Sequence, residues 1–419
     1  MFEQYQLKNN ARVLLVPQTD TRSVTVLIMY PVGSRFETDK MAGVSHYIEH
    51  LMFKGTKKRK NTLTLTREID RLGAEYNAFT SKEYTGYYIK VDSAFTDTAL
   101  DILSDMLFHS TFDPKEMERE KGPIVEELRM YRDNPMMNIE NIFEDLMYAG
   151  CPLGRDIGGT PETVMSFKRD EVLAFRDKFY TASNMTIVVA GKIDGRTKEK
   201  IVEYFGEEKN SGKPSSVFKP AIFGSREKSK RLAIQKKQTD QVQLMLGWPG
   251  FHYTSKENPS VAIMSAILGG SMSSRLFIQI RERRGLAYHI KSDDEHFRDT
   301  GHVFIRAGLE AKNINKAIHV IGQEVEKLIT KGVTARELAD AKTHIHGSLI
   351  LSLEDSSTQA SWYGKEALFD TRIRTPEERL AEINAVTQDD VQAAAKRVFH
   401  MNETRVGIIG DVDKEAVAF

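Results

Sequence analysis

Cysteine is nearly absent, with Cys151 standing alone among 419 residues. One thiol can close no internal disulfide and build no cysteine-ligated zinc site, which points away from an oxidising compartment. Neither sign of charge is in excess. The 59 Lys+Arg balance 59 Asp+Glu, so the long-range attraction that a dedicated nucleic-acid or anionic-membrane binder relies on is missing. No apolar run reaches the roughly 18 residues of a membrane span, and Met1-Phe2-Glu3-Gln4-Tyr5 lacks the basic-then-apolar order of a secretory leader. The expectation is a soluble, cytoplasmic enzyme with no nucleic-acid and no membrane partner. What is present is ordinary globular material, 40% hydrophobic and 28% charged, in a chain long enough for two or three cores.

The chain repeats itself. An apolar run Val13 to Val16 leads through Gln18-Thr19-Asp20 to a second run, Val24 to Tyr30, that ends at Pro31. Farther on, Leu232-Ala233-Ile234 leads through Gln238-Thr239-Asp240 to Val242–Trp248 and Pro249. Thr160-Pro161-Glu162 finds Thr375-Pro376-Glu377 at an offset of 215, and Asn184-Met185-Thr186 finds Asn402-Glu403-Thr404 at 218. A near-constant offset from end to end marks a tandem duplication. The Lys-, Ser-, Gly- and Pro-rich stretch between the copies reads as a solvated linker. We expect domains at 1–210 and 229–419 with a linker at 211–228. Strand-like runs alternate with amphipathic stretches such as Thr98–Phe108 and Arg169–Phe179, which predicts an α+β sandwich, each copy a mixed β-sheet covered by helices.

Chemistry concentrates at His46-Tyr47-Ile48-Glu49-His50. On a helix, positions i and i+4 share a face, so the two imidazoles can converge on one cation. Glu49 lies beside that face, placed to take a proton from a metal-bound water. A catalytic zinc needs a third protein ligand, and the helix-like Pro114–Arg132 offers Glu116, Glu118, Glu120, Glu126 and Glu127. Spacing alone does not choose among them. Lys57-Lys58-Arg59-Lys60 reads as a solvated loop, since no aromatics interleave it. Trp248 and the methionines 130, 136, 137 and 147 read as packing residues.

The segment His46 to Thr56, HYIEHLMFKGT, resembles the inverted zinc motif of the insulinase/pitrilysin family of metallopeptidases, whose short-chain members include the mitochondrial processing peptidases. The likeness continues through Asn77-Ala78-Phe79-Thr80-Ser81, Pro152-Leu153-Gly154-Arg155 and Ser273-Ser274-Arg275-Leu276-Phe277. It implies a third ligand with 76 residues between it and the second histidine, which is Glu127, and a supporting carboxylate seven positions earlier, Glu120. One Zn²⁺ per chain would then be held by His46, His50 and Glu127, with Glu49 as general base. The resemblance also implies that Asn77, Ala78 and Phe79 accept the substrate as an added strand.

Shifting the motif by 218 puts Met264, Ile267 and Leu268 where the first copy has His46, Glu49 and His50, so the second copy cannot hold zinc there. Its Arg281 and Tyr288, seven apart, resemble the family pair that reaches the substrate from the inactive half. The implied protein is a zinc endopeptidase acting on extended or unfolded peptides in a chamber between two homologous halves. A homodimer is expected, because one chain carries both the metal motif and the Arg/Tyr pair. Residues 1 to about 210 alone are expected to bind zinc but cleave poorly. The rival reading is a non-catalytic assembly subunit of the same fold, against which the intact His46, Glu49, His50 and Glu127 argue.

Overall fold

The structure, a computed structural model, describes residues 2–207, 218–227, 230–370 and 372–419. Of the linker expected at 211–228, residues 211–217 and 228 lie outside the described residues. Among those described, no helix is long and apolar enough to cross a membrane.

Two mixed sheets are built to one plan. The first has strands β1 (Glu3–Gln6), β2 (Arg12–Pro17), β3 (Ser23–Tyr30), β4 (Glu75–Thr80), β5 (Thr85–Asp92) and β6 (Thr186–Gly191) in the order β1-β2-β6-β3-β5-β4. The second has β7 (Leu232–Lys236), β8 (Val242–Pro249), β9 (Ala287–His296), β10 (Gly301–Leu309) and β11 (Arg405–Gly410) in the order β7-β11-β8-β10-β9. In each, one parallel pair, β2/β6 or β7/β11, is joined to otherwise antiparallel neighbours. Setting β2, β6, β3, β5 and β4 against β7, β11, β8, β10 and β9 superposes the two orders, and among the described residues the first sheet alone has an extra edge strand, β1. The fold is therefore the duplicated mixed α/β sandwich that the repeat predicts.

The central strands are continuous apolar runs because both of their faces are covered. In the first sheet, Val13, Leu15, Val24, Val26, Ile28, Ile187 and Val189 point into one core, with the helices Val44–Leu51 and Thr96–His109. The alternate residues Leu14, Val16, Leu27, Met29, Val188 and Ala190 point into another, with Ala360, Tyr363 and Ala367. The period of two along each strand divides the residues between the faces.

The compact units do not follow a single cut of the chain. One comprises Met1–Leu128, Asp156–Lys219 and Leu351–Arg374; the other Arg129–Arg155, Pro220–Ile350 and Thr375–Phe419. The helix Ser356–Phe369, from the second copy, covers the outer face of the first sheet. Gly364 permits the approach, since a Cβ there would lie 2.4 Å from the Met29 sulfur. Reciprocally, the helix Pro135–Met147, from the first copy, packs Ile139, Phe143 and Met147 on Met245 and Ile409 of the second sheet. A Cβ on Gly247 would meet the Phe143 ring at 2.2 Å.

The basic run at 57–60 departs from the sequence reading. Arg59 is 1% exposed, held by Glu68 (2.7 and 3.0 Å), Asp101 (2.8 Å) and Asp105 (2.9 Å). Three carboxylates supply the solvation that burial removes, and nothing in a run of four cations marks which one turns inward. Removing one partner of a buried ionic network strands the others, so Arg59→Met is expected to destabilise the first unit by about 3–5 kcal/mol. Denaturant unfolding followed by hydrogen exchange checks it; a loss under about 1 kcal/mol would reduce the network to the value of a surface pair. Trp248 and Met147 are buried as packing residues, whereas Met130, Met136 and Met137 are exposed.

Candidate metal centre

The helix Val44–Leu51 starts at Gly43, whose φ of +92° is left-handed and whose Cβ, had it one, would lie 2.3 Å from the Gly158 carbonyl oxygen. Glycine offers no capping side chain. Glu37 substitutes, its carboxylate accepting from the Gly43 and Ser45 N–H groups at 2.8 Å each. Val44, Tyr47, Ile48 and Leu51 are buried, and the opposite face presents His46, Glu49 and His50. The Tyr47 hydroxyl donates to the Met117 carbonyl at 2.6 Å, tying this helix to the helix Pro114–Asp133.

That register brings Glu127 to the two histidines. The His46 and His50 Nε2 atoms are 3.3 Å apart; Glu127 Oε2 is 3.3 Å from His50 Nε2 and its Oε1 is 3.7 Å from His46 Nε2. A tetrahedral zinc with bonds of about 2.0–2.1 Å separates its ligand atoms by roughly 3.3–3.4 Å, so this donor set has the spacing that zinc requires. Glu120 Oε1 is 2.9 Å from His50 Nδ1 and its Oε2 is 2.6 Å from Lys54 Nζ. An Nδ1–H donated to Glu120 turns the Nε2 lone pair toward the other donors. Glu118 and Glu126 are exposed, and Glu116 pairs with Arg119.

The electrostatics call for a cation. Burial, then the neighbouring His50, pushes His46 down to about 4. Burial also pulls on His50, but hydrogen bonds to Glu120 and Glu127 carry it up to about 9. The His50 hydrogen bond holds Glu127 below the usual carboxylate range. His46 is thus held neutral while the carboxylates favour positive charge at His50, a demand that a proton meets here and that a metal ion at the convergent nitrogens would meet in its place. Glu49 lies outside this triad. Burial raises its pKa, against the pull of a 2.5 Å hydrogen bond from the Thr80 hydroxyl.

Asn77, Ala78 and Phe79 lie on β4, the outermost strand of the sheet, paired with β5 on one side only among the described residues. Asn77 is exposed, and its side-chain oxygen accepts from the Ala78 N–H at 2.9 Å. In the second unit, Met264, Ile267 and Leu268 are buried in the apolar core. There the Arg281 guanidinium stacks 4.8 Å from the Phe277 ring centroid and 5.1 Å from that of Tyr288, which is exposed. Sequence reasoning missed Lys54, Glu37 and Thr80. All three act through contacts between segments; Lys54 and Thr80 stood within segments singled out by resemblance, and Glu37 in none.

Among the described residues the duplicated mixed-sheet unit carries a His/His/Glu donor set in its first copy, the arrangement of a two-unit protein with one candidate metal site. Comparison with known proteins agrees. A profile of the insulinase family (peptidase family M16) matches residues 12–161, and one of the peptidase M16 inactive domain matches 166–345. An uncharacterized zinc protease of Bacillus subtilis is 36% identical, covering 95% of this chain and 96% of that protein. One of Streptomyces coelicolor is 33% identical over 98% and 90%. A protease from Helicobacter pylori shares the fold, with a TM-score of 0.92 at 22% identity over 98% and 99% of the two chains. The chain belongs to the insulinase family, peptidase family M16.

Proposed function

We propose that the protein is a zinc-dependent endopeptidase that hydrolyses extended or unfolded peptides. The observation that carries this reading is the convergence of His46, His50 and Glu127, whose ligand atoms all lie within 4.8 Å of one another, beside a carboxylate outside the triad. These three residues would hold one Zn²⁺ per chain. When bound, zinc supplies the Lewis acidity that makes a water nucleophilic near neutral pH. Glu49 takes the proton of the attacking water and hands it to the leaving amine; its raised pKa suits it to keep the proton between those steps. Glu120 fixes the orientation of His50. The inactive-domain profile, at 166–345, falls outside the donor residues and does not weaken the assignment.

The exposed edge of β4 accepts the peptide as an added strand through Asn77, Ala78 and Phe79, and main-chain pairing gives affinity with little side-chain selectivity. Arg281 and Tyr288 are assigned to the substrate as cationic and phenolic donors. A homodimer belongs to the same reading, since each chain carries both the donor set and the Arg/Tyr pair, and a cytoplasmic setting is proposed with it. The test is metal analysis together with cleavage of a quenched peptide library. The expected result is about one zinc per chain, activity abolished by a chelator and restored by zinc. Purified protein that neither retains zinc nor cleaves any peptide would exclude the reading.

A further inference from the structure

The short segment 33–37 holds two elements at once. The Ser34 N–H donates to the Ser81 carbonyl at 3.2 Å and the Arg35 N–H to the Lys82 carbonyl at 2.8 Å. Arg35 Nη1 reaches Glu83 Oε1 at 2.6 Å, with both side chains almost fully buried. Gly33 makes this clamp possible, because a Cβ there would lie 2.1 Å from the Ser81 carbonyl oxygen. These contacts fix the β4–β5 hairpin. Three residues after Ser34, Glu37 caps the helix that carries Glu49. One run of five residues therefore sets hairpin and helix against each other, and a polar bridge between their side chains runs from Thr80 Oγ1 to Glu49 Oε2 at 2.5 Å. Glu49 Oε1 is left without a protein partner among the described residues.

We infer that Thr80 is a positioning residue for the general base. Its hydroxyl pins one carboxylate oxygen so that the other faces the reacting water, and, as the last residue of the strand assigned to the peptide, it links substrate docking to the placement of the base. The inference rests on the peptidase reading. A carboxylate held by one short charge-assisted bond loses that orientation when the donor goes. A threonine at a strand end would otherwise serve only as a half-buried, β-branched filler.

Thr80→Val keeps shape and removes the donor, and Thr80→Ser keeps the donor. In the zinc-loaded full chain, Thr80→Val is expected to lower kcat about 10- to 100-fold with KM within about twofold and the zinc content unchanged. Thr80→Ser is expected to stay within about threefold of wild type. In a Glu49→Gln background, Thr80→Val should change the residual rate by less than about twofold, because residues acting as one unit are not additive. Wild-type kcat in Thr80→Val, a Thr80→Ser variant as slow as the valine variant, or a full loss on top of Glu49→Gln would each overturn the inference while leaving the peptidase reading intact. A zinc-loaded wild type that cleaves no peptide would overturn both.

Discussion

Glu49→Gln is expected to keep about one zinc per chain and to lower turnover of an extended peptide by roughly a hundred- to ten-thousand-fold, the contribution typical of a positioned general base. Glutamine matches glutamate in size, and its carbonyl oxygen can still accept the bond from Thr80. What it lacks is basicity. The metal ligands are separate residues, and the helix is anchored elsewhere by Glu37 and Tyr47, so loading and fold should survive the change. KM should move little, because substrate affinity is assigned to the β4 edge. Glu126→Gln makes the same charge change on an exposed position of the neighbouring helix and serves as the control. Turnover within about threefold of wild type in a zinc-loaded Glu49→Gln enzyme would require another base.

The second large effect concerns a fragment. The sequence alone suggests that residues 1 to about 210 form a zinc-binding piece, but the exchanged helices alter that expectation. Cutting at 210 removes the helix Ser356–Phe369 and bares Leu14, Val16, Leu27, Met29, Val188 and Ala190 on one face of the sheet. At about 1.5–3 kcal/mol for each large side chain, the loss is on the order of 10 kcal/mol, comparable with the whole stability of a typical domain. The fragment is expected to aggregate and to show no cooperative melt. Joining residues 351–374 to it through a flexible linker should restore solubility and a melting transition, read by circular dichroism. A soluble, cooperatively melting 1–210 fragment would show that the helix contributes little.

The duplication was legible because strands, turns and offsets recur together: the echo of Val24–Tyr30 in Val242–Trp248 becomes β3 and β8, at corresponding places in the two sheets. The convergence of His46 and His50 was legible because helical geometry is local. Glu127 was not, since five glutamates share its helix and only family resemblance singled it out. The exchange was illegible for a different reason. An amphipathic helix such as Pro135–Met147 displays an apolar face without naming the sheet that receives it, and a Gly at 247 or 364 reveals its purpose only once Phe143 or Met29 is seen against it. Arg59 and Thr80 belong to the same class, because their partners lie 9 to 46 and 31 positions away.

The exchanged helices also bear on synthesis. All six strands of the first sheet have been made by Gly191, yet the helix that seals its outer face begins at Ser356. At about 5–20 residues per second, the intervening stretch of roughly 165 residues takes on the order of ten to thirty seconds to emerge from the ribosome. A sheet that forms in that interval has one greasy face open to its surroundings, a natural target for a holding chaperone. Synonymous codon changes that slow translation between those two points would lengthen the exposure and lower the yield of native protein without altering a single residue.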